Sequence, residues 1–377
     1  MKILNVTATM LLVVMVFYLL RVGEALLLPL VIAVTLWYLI NTLASAFARI
    51  NVGGFTIPGP ICLAASIVSF GLIIYGLINF LSGRVEDVMQ VLPEYQSNLT
   101  TRLENLPFVD LLAFQEQGIM QSIAEWIDLP AYATSIAASF AGILANGGLI
   151  LIYILFLFLE QGKFDQKIKA MFSVSRQHDD ARKIIERIRN DIQKYISIKM
   201  FTSALTGLLS YIFLKIVGVD FAGVWGLLIF LLNFIPTVGS IIATIFPAII
   251  ALAQVDGYTL FILVLVGIGI LQMVIGNIIE PRLMGNSFNL SPIVILLNLG
   301  LWGYIWGITG MFLCVPFLII IIIILSHFPH TRPIAIILSS DGRLRVPLDK
   351  TLEGFSFTPP SAEHLLGTDK SKSESDA

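Results

Sequence analysis

The stretch 221-FAGVWGLLIFLLNFIPTVGSIIATIFPAIIALAQV-255 decides how the chain is built. Its 35 residues carry no charge. As one helix they would reach about 52 Å, against a bilayer hydrocarbon core of about 30 Å. At the centre stand Asn233-Phe234-Ile235-Pro236-Thr237-Val238-Gly239. Proline has no N–H and frees the carbonyl four residues earlier, so a helix bends or stops there. The stretch predicts either one crossing with a broken middle or a hairpin that returns to its own side.

The rest of the chain has the same character. Of 377 residues, 57% are hydrophobic and only 13% charged, with mean hydropathy +0.89. A soluble domain carries about 25% charged residues, so this chain has half the usual cover for a watery surface. That excludes a soluble enzyme, a disordered scaffold and a nucleic-acid binder. A net charge of -2 gives no reason to expect a polyanion partner. The composition predicts an all-α polytopic membrane protein with membrane lipid as its surroundings.

A charge at mid-bilayer costs about 2.5–3.5 kcal/mol on insertion scales, so charge-free intervals mark the spans. They are Ile3–Leu20, Ala25–Ala48, Ile61–Leu81, Gly142–Leu159 and Met200–Leu214, then the opening stretch, then Gly257–Ile279. Leu283–Ser326 is again too long for one helix, at 44 residues. It reads as a short half-helix feeding a last span at Leu301–Leu325. About eight transmembrane helices result, with broken or re-entrant helices in the C-terminal half. The organisation is three spans (1–82), an amphipathic helical segment (83–141), a span (142–160), a basic helical segment (161–199), the C-terminal bundle (200–326) and a tail (327–377), disordered towards its end. Ile334–Leu348 reads as a strand pair around Ser340-Asp341-Gly342. Lys2 with the apolar run after it resembles a signal peptide, but no small-residue cleavage site follows, so an uncleaved first span is expected.

Lys/Arg counts orient the chain. Arg84–Ala141 holds two basic and eight acidic residues, Gln161–Lys199 ten basic and five acidic ones. The first belongs outside, the second in the cytoplasm. N- and C-termini are then cytoplasmic, and the total is even if 221–255 crosses once.

The chemical inventory is sparse. Cys62 and Cys314 lie in apolar runs, the four histidines form no metal-ligand spacing, and there is no phosphate loop or nucleophile elbow. No enzyme, cofactor or metal site is expected. Two backbone breaks share Asn-x-x-Pro spacing, Asn233–Pro236 and Asn289–Pro292, and flank the span Gly257–Ile279. Irregular backbone survives in lipid only when buried in protein or lining a wet cavity, and transporters place it at the substrate site. Two plain kinks are the simpler alternative. The candidate pathway is Asn233, Pro236, Gly239, Asn277, Glu280, Asn289 and Pro292. Glu280 and Arg282 are the only charges between Asp256 and His327, and with Pro281 they form a candidate gate or clamp at a helix end. Gly300, Gly303 and Gly307 are candidate close-packing positions, within the chain or between subunits.

At these residues the sequence resembles the autoinducer-2 exporter family of bacterial membrane proteins. The resemblance runs to about Leu325. Its specific part is Asn233-x-x-Pro236-x-x-Gly239, Gly276-Asn277-x-x-Glu280-Pro281, Gly285, Pro292, Gly300, Gly303 and Pro316. It implies a secondary transporter or permease of the cell inner membrane, a possible homo-oligomer, exporting a small polar signalling molecule in quorum sensing. Sodium(lithium)/proton exchange is associated with similar members and is the alternative. Asp220, Asp256 and Glu280 all fall near predicted span ends, which counts against it. A membrane scaffold that moves nothing is the third reading.

Overall fold

A computed structural model describes residues 2–49, 57–104, 142, 145–163, 166–167, 170, 175–285 and 288–344. The protein is an all-α, multi-pass membrane protein. Among the described residues the only β contact is one bridge, Leu290 to Ser339. The helices are α1 (Lys2–Val22), α2 (Glu24–Ala48), α3 (Gly59–Glu104), α4 (Gly147–Glu160), α5 (Ser175–Val217), α6 (Ala222–Leu232), α7 (Val238–Gln254), α8 (Thr259–Val274, continuing through a π-turn into Glu280–Met284), α9 (Pro292–His327) and α10 (Arg332–Leu338). Among the described residues five helical stretches are long and apolar enough to cross a membrane, counting Pro292–His327 as one stretch. Large apolar side chains face outward: Leu11 is 70% exposed, Leu151 67% and Leu297 69%. A contiguous apolar surface of that kind suits lipid, not water.

Two helices run far past their spans. α3 has 46 residues, about 69 Å, and α5 has 43, about 64 Å. The boundaries read at 82/83 and 199/200 therefore fall inside continuous helices. The first half of α5 packs on the bundle: Ile192, Tyr195 and Ile196 are buried against Val315, Ile319 and Ile323. The late turns of α3 lie over the bases of α6 and α7. Tyr95 donates to the Asp220 carboxylate at 2.6 Å, and Asn98 donates to the Ala253 carbonyl at 3.2 Å. Burial, and then the Asp220 carboxylate, push the Tyr95 phenol well above its ordinary range. Residues 105–141 lie outside the described part of the chain.

The opening stretch is a hairpin. Gln254 closes it, its Nε2 donating to the Gly218 carbonyl and its Oε1 accepting from the Asp220 N–H, both at 2.9 Å. α6 thus starts and α7 ends side by side. At 11 and 17 residues, about 16 and 25 Å, neither arm is long enough for a full crossing.

α9 is a second hairpin, which corrects the expectation of a last span over Leu301–Leu325. Trp306 (φ -127°, ψ 21°) and Gly307 (φ 58°, ψ -141°) leave the helical region. Asn298 donates to the Cys314 carbonyl across the fold, although 16 residues of straight helix would separate them by about 24 Å. The second hairpin starts beyond the far end of α8, so the two enter from opposite ends of the bundle. Their tips meet where Phe234 stacks on Phe312, ring centroids 4.5 Å apart.

The glycines follow from this. Gly307 is the turn itself, in a conformation close to glycine-only. Gly303 faces the Met311 side chain of the returning arm, and Gly300 faces open space. The Gly303-x-x-x-Gly307 pattern thus serves a turn within the chain. The strand pair expected over Ile334–Leu348 is also corrected: α10 occupies Arg332–Leu338, and 345–348 lie outside the described residues.

Candidate functional site

The tip of the first hairpin follows from its residues. Pro236 disfavours helix at Ile235 and cannot bond the carbonyl of Leu232. That carbonyl accepts from the Ile235 N–H instead, at 2.9 Å, and lies against Gly239, where a side-chain methyl would stand 1.8 Å from it. The Pro236-x-x-Gly239 spacing is thus one device, in which proline ends the helical bonding of the Leu232 carbonyl and glycine leaves room for that carbonyl in the turn. Thr237 between them sits at φ 60°, ψ -60°, with the Val238 N–H on the Pro236 carbonyl. This is a tight three-residue turn of a rare, strained kind. Strain of this sort costs about 1–3 kcal/mol and clusters at functional sites. Asn233 is buried and donates to Ser203 Oγ at 3.0 Å.

α8 supplies the facing wall. Pro281 would clash with the carbonyl of Asn277 in a regular helix. The helix instead widens into a π-turn over Ile275–Ile279, and the Glu280 N–H reaches back five residues to the Ile275 carbonyl. Single π-turns recur at functional sites. With Glu280 committed and Pro281 lacking an N–H, the Gly276 carbonyl loses both of its usual helix donors. Gly276 lies on the cavity wall.

Between these walls is a cavity of about 690 Å³. Lys199 of α5, Thr237 and Ser240 of the first hairpin, and Gln272 of α8 line it with the candidate residues Asn233, Pro236, Asn277 and Glu280. Phe288, Leu290 and Val315, at the second hairpin, close its other side. Lys199 Nζ lies 2.8 and 3.0 Å from the two carboxylate oxygens of Glu280, with the Thr202 hydroxyl 3.3 Å from one of them. The side chains are 8% and 14% exposed. This corrects the clamp read from sequence, because Glu280 pairs with Lys199, while Arg282 is exposed. It also removes the objection that Glu280 lies at a solvated end.

Four predicted residues thus share one cavity. Gly239 stands behind the turn. Asn289 is elsewhere, donating to Asp341 and to the Arg343 carbonyl at the base of the second hairpin. Pro292 is the exposed first residue of α9. Sequence reasoning missed Lys199, Thr202, Thr237, Ser240, Thr244 and Gln272. A signal for the first two was present: Lys199, Thr202, Ser203, Thr206 and Ser210 recur at helical spacing, and all are buried. Among the described residues no His, Cys, Asp and Glu cluster could hold a metal.

A polar cavity framed by interrupted helices inside a lipid-facing bundle defines a membrane transport protein, not an enzyme. The chain belongs to the AI-2E transporter family: residues 8–330 match the AI-2E family transporter. It is similar to the AI-2 transport protein TqsA of Escherichia coli K12, 30% identical over 327 residues, 85% of this chain and 91% of that one. A putative transport protein of Haemophilus influenzae is 31% identical over 293 residues, 75% and 82% of the two chains. One of Borreliella burgdorferi is 28% identical over 325 residues, 84% and 86%.

Proposed function

We propose that this protein is a secondary transporter of the bacterial inner membrane that exports a small polar solute, of the autoinducer-2 kind, through the cavity between the Asn233–Thr237 turn and α8. The observation that carries this reading is the cavity itself. Polar side chains of α5, the first hairpin and α8 line one space in an otherwise apolar bundle, and the Gln272 Nε2 among them has no partner in the protein; in lipid such groups persist only with a wet or occupied cavity beside them. Similarity to an AI-2 transport protein supports the cargo. The ten basic residues of 161–199 support cytoplasmic termini. A proton or sodium gradient supplies the energy.

Two experiments test this. Purified protein in liposomes loaded with autoinducer-2 releases it faster under an imposed proton gradient, and the double variant Asn233→Leu, Pro236→Ala does not. Equal release with and without protein, or wild-type rates in the variant, defeats the reading. For orientation, a cysteine at Ser97 reacts with an impermeant thiol reagent outside intact cells, and one at Lys183 does not; the reverse pattern inverts the topology.

Sodium(lithium)/proton exchange is the second reading. What favours it is that Glu280 is buried beside Lys199 inside the cavity.

A further inference from the structure

We propose that Lys199 and Glu280 act together as the charge selector of the cavity. They keep it electrically neutral and so restrict it to uncharged, hydroxylated solutes. The inference rests on the transport reading above and adds to it a substrate class and the two residues that set it.

The argument begins with composition of the wall. Among the described residues, Lys199 and Glu280 are the only charged ones on the cavity wall. The polar remainder, such as Asn233, Thr237, Ser240, Gln272 and Asn277, is neutral and both donates and accepts hydrogen bonds. Gln272 Nε2 is buried with no partner in the protein, so the wall holds a donor still to be satisfied. Both charges are largely withdrawn from water, and both carboxylate oxygens serve one ammonium. A buried ion pair is stable as a neutral unit, while either member alone is an uncompensated charge in a poor dielectric. An anionic solute therefore has to displace Glu280 from Lys199, and a cation has to displace Lys199 from Glu280. Each exchange breaks one desolvated pair to make another. A neutral hydroxylated solute needs neither exchange, because amides and hydroxyls already present meet its oxygens.

Removing one partner should expose the other as an ion site of defined sign. Glu280→Gln keeps the shape and leaves Lys199 as a lone cation. Lys199→Met leaves Glu280 as a lone anion. The probes are inorganic phosphate as its choline salt and sodium as its gluconate, with choline gluconate holding the ionic strength constant and thermal unfolding of the detergent-purified protein as readout. A ligand that binds only the folded state raises the melting temperature in proportion to RT ln(1 + [L]/Kd). Wild type is expected to shift with neither probe. Glu280→Gln is expected to gain several degrees with phosphate alone, Lys199→Met several degrees with sodium alone. The double variant Glu280→Gln, Lys199→Met is expected to respond to neither and shows whether the cavity folds without charge. Sodium stabilisation of the wild type would overturn the proposal and favour cation exchange. Single variants that fold but respond to neither ion would also overturn it. Neither outcome touches the transport reading, which is tested by solute release.

Discussion

The two helical hairpins are built alike and serve different ends. In each, a glycine on the returning arm lies against a carbonyl of the entering arm: Gly239 against Leu232, Gly310 against Trp302, where a methyl would stand 1.8 and 2.0 Å away. The tips differ. The first is made of Asn233, Pro236 and Thr237 and borders the cavity. The second is made of Trp302, Trp306 and Gly307, with the Trp302 ring 4.1 Å from that of Phe317. It is tied to α1: Arg21 donates to the Ile305 carbonyl, and the indole Nε1 of Trp306 donates to the Leu20 carbonyl at 3.1 Å. Backbone polar groups at membrane depth need partners. The second tip takes them from its own protein and is solid. The first bonds its backbone within the turn and sets the side chains of Asn233, Thr237 and Ser240 on the cavity wall. The same device of two short arms and one close glycine thus yields a support or a site, according to what covers the turn.

The largest effect should come from the charged wall beside the first tip. Glu280→Ala strands Lys199, and loss of one partner of a buried pair costs about 3–5 kcal/mol. Chemical denaturation in detergent should show it, and a cost below 1 kcal/mol would mean the pair is solvated. Next, Gly239→Ala and Gly310→Ala each force a methyl against backbone, with expected losses of about 1–3 kcal/mol or more. Equal losses in the two would confirm that the hairpins share one construction. A loss at Gly310 alone would break the comparison.

The third test separates support from site. Asn298→Ala removes the amide that joins the arms of the second hairpin, donating to Cys314 and accepting from Trp302 Nε1 at 3.1 Å. It should lower stability by about 1–3 kcal/mol, since two buried groups lose their partner. Asn233→Leu with Pro236→Ala should instead abolish solute release with a smaller change in melting temperature. The reverse outcome would exchange the roles assigned to the hairpins.

The smallest effect lies at the base of the second hairpin. The Arg343 N–H and the Asn289 amide hold the Asp341 carboxyl below its ordinary range. A depressed folded value favours the folded state above the unfolded carboxylate range, and the benefit fades as pH falls through the folded value. Asp341→Asn should therefore speed amide hydrogen exchange at Ser340 and Arg343 at neutral pH and remove its acid dependence below about pH 4. Unchanged exchange would mean that the Leu290–Ser339 bridge holds this segment unaided.

Local sequence was enough to read the class of protein and the break at Asn233–Pro236. Both are local properties: too few charges to cover a surface, uncharged runs that outmeasure a bilayer, prolines without an N–H. Asn233 and Pro236 stood out beside that break, Asn277 and Glu280 beside a lone charge pair at a helix end, and the structure places all four on one cavity wall. What the breaks became was decided by contacts between distant residues. Whether 221–255 crosses or returns rests on Gln254 meeting Gly218 and Asp220, up to 36 residues away. The partner of Glu280 is Lys199, 81 residues earlier, and not Arg282 beside it, because neighbouring helical residues point to different faces. Gly307 reads locally as a packing glycine and becomes a turn only because Asn298, Trp302 and Phe317 hold the two arms of α9 together. Tertiary structure decided these points because a carbonyl freed by proline, or a charge left in an apolar run, must find a partner within the bundle, and only the folded chain brings one to it.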